Sequence, residues 1–128
     1  MARILIVDDE KPLADTLATI LRLKQYEVEV AYDGVEGITA AQRFHPDLIV
    51  SDVAMPKRNG VEMAIALTQS VPQTKILLVS GQAVTTGLLQ EARERGYDFE
   101  CLAKPLHPVD LLNRIAFLLS ASSSAQAS

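Results

Sequence analysis

The chain has 128 residues, of which 48% are hydrophobic and 22% charged, with a formal net charge of −4. This describes one globular domain that needs no disulfide or metal to fold, not a disordered segment. The acidic balance argues against a nucleic-acid surface, no apolar run reaches the ~18 residues of a membrane span, no signal-peptide pattern opens the chain, and the single Cys101 suits a reducing, cytoplasmic setting.

Along the chain, strand-length apolar runs alternate with segments of helical period. The first run is Ile4-Leu5-Ile6-Val7. A helix follows, with Pro12 in its first turn and Leu13, Leu17, Ile20 and Leu21 on one face. The second run is Val28-Glu29-Val30-Ala31, then a helix opened by Asp33-Gly34, carrying Val35, Ile38 and Ala41 and closed before Pro46. Leu48-Ile49-Val50 precedes a helix marked by Val61, Ala64, Ile65 and Leu67 and stopped before Pro72. Ile76-Leu77-Leu78-Val79 precedes a helix with Leu88, Leu89 and Ala92, closed by Gly96. Phe99-Glu100-Cys101-Leu102 precedes the last helix, with Pro108 in its first turn and Leu111, Leu112, Ile115, Leu118 and Leu119 on its apolar face. Phe117 falls off that stripe and is expected to be exposed. Residues 120–128 hold only Ser, Ala and Gln and read as a disordered tail or cut linker after a domain of residues 1–119.

The first, third and fourth runs are continuously apolar, as central parallel strands are, whereas the second and fifth carry a glutamate and suit edges. Strict alternation predicts a doubly wound α/β fold, (βα)₅, with five parallel strands in the flavodoxin-like order 2-1-3-4-5. Ligands of such sheets bind beyond the carboxyl ends of the strands. Those ends carry Asp8-Asp9-Glu10, Asp52, Ser80-Gly81 and Lys104-Pro105. With strands ~4.8 Å apart, all can face one centre. Two carboxylates ~5 Å apart repel by roughly 3 kcal/mol at an effective dielectric of 20, so Asp8, Asp9 and Asp52 call for a counter-ion. All-oxygen ligands favour Mg²⁺, with Mn²⁺ as a substitute, over zinc. A carboxylate, a hydroxyl and a lysine around such an ion form a phosphoryl-transfer site with the carboxylate as nucleophile. Taken singly, Ser80 reads as a turn serine, Lys104 as a surface lysine, and His45 and His107 as surface residues.

Together these pieces resemble the receiver domain of two-component response regulators over residues 3–119. The resemblance rests on Ile6-Val7-Asp8-Asp9-Glu10, Ala31-Tyr32-Asp33-Gly34-Val35-Glu36, Asp47-Leu48-Ile49-Val50-Ser51-Asp52 with Met55-Pro56 and Gly60, Ser80-Gly81 and Lys104-Pro105. It implies that Asp52 is the phosphoacceptor. It implies that Asp8 or Asp9, or both, with Asp52 and the carbonyl of Ala54, hold Mg²⁺, and that Ser80 and Lys104 contact the phosphoryl group. It implies a cis Lys104–Pro105 peptide, and tuning of phosphoryl lifetime by Ala54 and Gln82. The implied donor is a phosphohistidine on a sensor histidine kinase or phosphotransfer protein. The implied readout is a rearrangement of the face of helix 4, strand 5 and helix 5, passed to a downstream effector protein or a C-terminal output domain, with no direct nucleic-acid or membrane partner expected. Such a domain is no conventional enzyme, but it catalyses its own phosphorylation and dephosphorylation. Two features depart from the family pattern: Cys101 stands where Tyr or Phe usually precedes the lysine by three, and the interval from Gly96 to Lys104 is about a residue longer than usual.

Three other readings compete. A pseudo-receiver acting only as an interaction module draws support from Cys101. A haloacid-dehalogenase-type phosphatase would place a second Asp two residues after the nucleophile, where this chain has Ala54. A flavin or dinucleotide domain would need a Gly- or Ser/Thr-rich phosphate loop after the first strand, where three acids stand.

Overall fold

The computed structural model describes residues 1–53, 60–81, 85–104 and 107–127. The elements are β1 (Arg3–Val7), α1 (Lys11–Leu23), β2 (Glu27–Ala31), α2 (Gly34–Phe44), β3 (Leu48–Asp52), α3 (Gly60–Ser70), β4 (Lys75–Ser80), α4 (Thr85–Glu94), β5 (Glu100–Ala103) and α5 (Pro108–Ala127). All strand pairs are parallel, in the order β2-β1-β3-β4-β5. The glutamate-bearing strands are the two edges, and the three continuously apolar strands lie between them.

Alternation along each strand divides the core into two layers. Ile4, Ile6, Leu48, Val50, Leu77 and Val79 pack against Ala14, Ala18 and Leu21 of α1 and Ile115 of α5. On the opposite face, Leu5, Val7 and Ile49 meet Ala40 and Ala41 of α2 and Met63 and Leu67 of α3. Val53 and Leu78 continue that face under α3 and Ala92 of α4. Burial on both sides explains why these strands carry no polar alternation.

Two helical stripes differ from expectation by about one position. In α1 the sheet-facing residues are Ala14, Ala18 and Leu21, while Leu13 is 55% exposed. In α2 they are Gly34, Gly37, Ala40 and Ala41, and Val35 points outward. The cause is close packing of helix on sheet. A Cβ on Gly37 would come within 2.9 Å of Met63 Sδ and 3.1 Å of Val7, so only small side chains fit beneath α2. The start of α2 is fixed locally: Asp33 accepts from the Glu36 N–H at 2.8 Å and the Glu36 carboxylate accepts from the Tyr32 N–H at 3.2 Å.

At the carboxyl end, α5 continues through Ala127, where an irregular tail is expected. The segment is mostly serine with three alanines and holds no Gly or Pro, so it contains no strong helix breaker. Phe117 is 58% exposed, as its place off the stripe predicts, and lies under the Arg114 guanidinium. Among the described residues, no helix is long and apolar enough to cross a membrane.

Candidate functional site

The strand ends converge as the topology requires. One residue beyond β1, the Asp8 N–H still donates to the Ala31 carbonyl at 3.0 Å. One residue beyond β5, the Lys104 N–H donates to the Ser80 carbonyl at 2.9 Å. Each ladder therefore carries its functional side chain past the last strand residue, to the same edge of the sheet. Asp52 ends β3 and Ser80 ends β4, and both are buried.

The centre is the Asp52 carboxylate. Lys104 Nζ donates to its Oδ2 at 3.0 Å, across 52 residues of chain. Carboxylate oxygens of Asp8, Glu10 and Asp52 lie within 4.8 Å of one another. The Glu10 N–H donates to Asp8 Oδ1 at 2.9 Å, which folds the acidic turn back on itself. Glu10 precedes α1 at the N-cap position, but its side chain makes no capping hydrogen bond, so its carboxylate is left to face the site.

The electrostatics follow from this crowding. Burial pushes the Asp8 carboxyl above its ordinary value and the Asp52 charge adds to that, while the hydrogen bond from Glu10 opposes it. For Lys104, burial works against the ammonium, yet the hydrogen bond and charge of Asp52, with Asp8 and Glu10 behind it, prevail and hold its pKa up. An all-oxygen set carrying this much negative charge fits a hard divalent cation such as Mg²⁺.

Asp8, Asp52, Ser80 and Lys104 are thus all brought to one edge of the sheet. Asp9 is exposed and outside the carboxylate cluster, whose third member is Glu10. Sequence reasoning names Glu10 only as part of the acidic run. Its N-cap position ahead of Pro12 is the signal that marks it, since a residue there adjoins both the strand end and the helix. Cys101 is half-buried in β5, in register with Leu78, and packs with Phe99 on the α3–α4 side. Burial, then the Asp52 charge, raises its thiol pKa. Ala54, Gln82 and Pro105 lie outside the described residues.

Two glycines press on this edge. A Cβ on Gly60 would stand 2.4 Å from the Asp52 carbonyl oxygen, and one on Gly81 would stand 3.2 Å from Lys104 Cβ. Next to the carboxylates, between α1 and the start of α5, a cleft of about 350 Å³ opens, lined by Leu13, Leu17, Ile20, Pro108 and Leu111.

A five-stranded 2-1-3-4-5 sheet with carboxylates and a lysine at its carboxyl edge is the architecture of a receiver domain. The chain belongs to the response regulator receiver domain family, which it matches over residues 4–116. It is 34% identical over 126 residues to the transcriptional regulatory protein CpxR homolog of Haemophilus influenzae, covering 97% of this chain and 53% of that protein. It is 30% identical over 115 residues to the DNA-binding response regulator MtrA of Mycobacterium tuberculosis, covering 88% of this chain and 48% of the relative. The chain therefore spans about half the length of these curated relatives. Among solved structures, a CheY-like receiver domain from Methanospirillum hungatei superposes with a TM-score of 0.85 at 28% identity, covering 98% of both chains. The chemotaxis response regulator CheY4 of Vibrio cholerae gives 0.79 at 34% identity, covering 92% of this chain and 98% of that one. Family membership sets aside the phosphatase and dinucleotide-binding readings.

Proposed function

We propose that this receiver domain is a phosphorylation-activated switch with Asp52 as its acceptor. The observation that carries the reading is the buried Asp52 carboxylate held by Lys104 at 3.0 Å among Asp8 and Glu10. One Asp52 oxygen attacks the phosphorus of a phosphohistidine on a sensor histidine kinase or phosphotransfer protein. The P–N bond breaks, its electron pair stays on the imidazole, and that nitrogen takes a proton from solvent. Lys104 then pairs with a phosphoryl oxygen, and the Ser80 hydroxyl donates to another. Asp8, Asp9, Asp52 and the Ala54 carbonyl are the ligands proposed for Mg²⁺, with Glu10 close enough to join them. When bound, the ion neutralises charge on the transferring group. Hydrolysis of the acyl phosphate by water at phosphorus resets the domain.

Output in this reading passes through the face of α4, β5 and α5, to an effector protein or an output domain joined beyond α5, in the cytoplasm. The competing reading, a receiver that only mediates contacts, is favoured by one observation: Cys101, not an aromatic, occupies the β5 position facing α4. Incubation with acetyl phosphate and Mg²⁺ distinguishes the two. One acid-labile phosphoryl group per wild-type chain and none on Asp52→Ala supports the switch. A label that persists in Asp52→Ala, or a wild type that takes none, refutes it.

A further inference from the structure

We propose that Ser51 is a positioning residue for the acceptor, acting through the backbone of Asp52; the inference rests on the phosphoacceptor reading above. The two residues occupy opposite faces of β3. Ser51 is in register with Val7 and Leu78 on the α2–α3–α4 side, and Asp52 with Val79 on the α1–α5 side. The Ser51 side chain thus stands among apolar groups, fully buried. A hydroxyl in such a place is costly unless bonded. It donates to the Asp52 carbonyl oxygen at 3.0 Å.

That carbonyl is held from other directions as well. The Gly60 Cα packs so closely on it that no Cβ fits. The next residue is pinned at both polar atoms: the Val53 N–H donates to Val79 at 3.1 Å, and the Val53 carbonyl accepts from Gly60 at 2.8 Å. These contacts clamp the peptide joining Asp52 to Val53. That peptide sets the direction of the Asp52 side chain and the path of the chain toward Ala54. The backbone contacts do not depend on what stands at position 51. The hydroxyl is the part of the clamp that this residue alone contributes. In-line transfer is sensitive to small misplacements of the attacking atom, so loosening the clamp slows transfer without removing any group that touches phosphorus.

Three variants test this. Ser51→Ala removes the hydroxyl, Ser51→Thr keeps it, and Ser51→Val matches the threonine in shape without it. Each full chain is labelled with acetyl phosphate at saturating Mg²⁺, and its labelling rate and melting transition are measured. The expected result is labelling about tenfold slower in Ser51→Ala and Ser51→Val, and within about threefold of wild type in Ser51→Thr. A wild-type rate in Ser51→Ala, or Ser51→Thr as slow as Ser51→Val, overturns the proposal. If Ser51→Ala does not fold, the Thr–Val pair decides, because the two share a steric load. An unlabelled wild-type chain refutes the phosphoacceptor reading itself. A labelled wild type with unaffected variants refutes only the part assigned to Ser51.

Discussion

Asp8→Asn is expected to stabilise the metal-free domain. Asp8 lies within 4.8 Å of both Asp52 and Glu10. At that separation and an effective dielectric of 20, each pair repels by about 3.5 kcal/mol. Attraction to Lys104 and solvent screening at a half-exposed carboxylate offset most of the sum, leaving a net gain of about 1–2 kcal/mol from neutralising it. The asparagine oxygen still accepts from the Glu10 N–H, so that bond survives. An unfolding entropy of ~2.1 cal/mol/K per residue amounts to about 0.27 kcal/mol/K for this chain, so Tm should rise by about 4–7 °C. The pH sign agrees. Because the folded pKa of Asp8 is raised, its charge destabilises the fold above that pKa, and the penalty is relieved as pH falls through it toward the ordinary 3.8. The assay is thermal melting in chelator and in Mg²⁺. At a Mg²⁺ concentration 100 times its Kd, the wild type gains about 2.7 kcal/mol, or roughly 10 °C, and the variant far less. A variant no more stable than wild type in chelator, or one that Mg²⁺ stabilises equally, refutes the reasoning.

Three further outcomes follow from the same geometry. Lys104 has a raised pKa, so its stabilising contribution is complete below its ordinary 10.5 and is lost as pH rises through the raised value; Lys104→Gln should flatten that alkaline loss in denaturant midpoints. Gly60→Ala forces a Cβ to 2.4 Å from a backbone oxygen and should cost about 3 kcal/mol or more in urea unfolding. Gly87→Ala is the contrasting case: within helix α4 its Cβ would meet nothing within 4 Å, so stability should rise by about 0.5–1 kcal/mol.

The architecture was legible because it rests on signals that survive without tertiary context. Runs such as Ile4-Leu5-Ile6-Val7, buried throughout, declare central parallel strands, and the glutamates of β2 and β5 declare the edges. The helix faces were less legible. Large residues such as Leu13 and Val35 dominate an apolar pattern, but the positions against the sheet are taken by Ala14, Ala18 and Gly37, whose small size is what the packing selects. At the site, the strand ends identified which side chains converge. They did not identify which two of three consecutive acids turn inward, because that depends on the Asp8–Glu10 turn and the entry of α1. The role proposed for Ser51 left no mark in the sequence, since it arises from a strand register and a glycine nine residues away.

The Lys104–Asp52 pair spans from an edge strand to the middle of the sheet. Strand β5 has four residues and pairs on one side only, with β4, so it is held weakly by its own ladder. The lysine acts as a latch that pulls this loose margin toward the centre. Any change of charge at Asp52 alters the tension on the latch. The hydrogen-exchange protection of the β5 amides therefore becomes a local gauge of what the acceptor carboxylate carries, read two strands away from it.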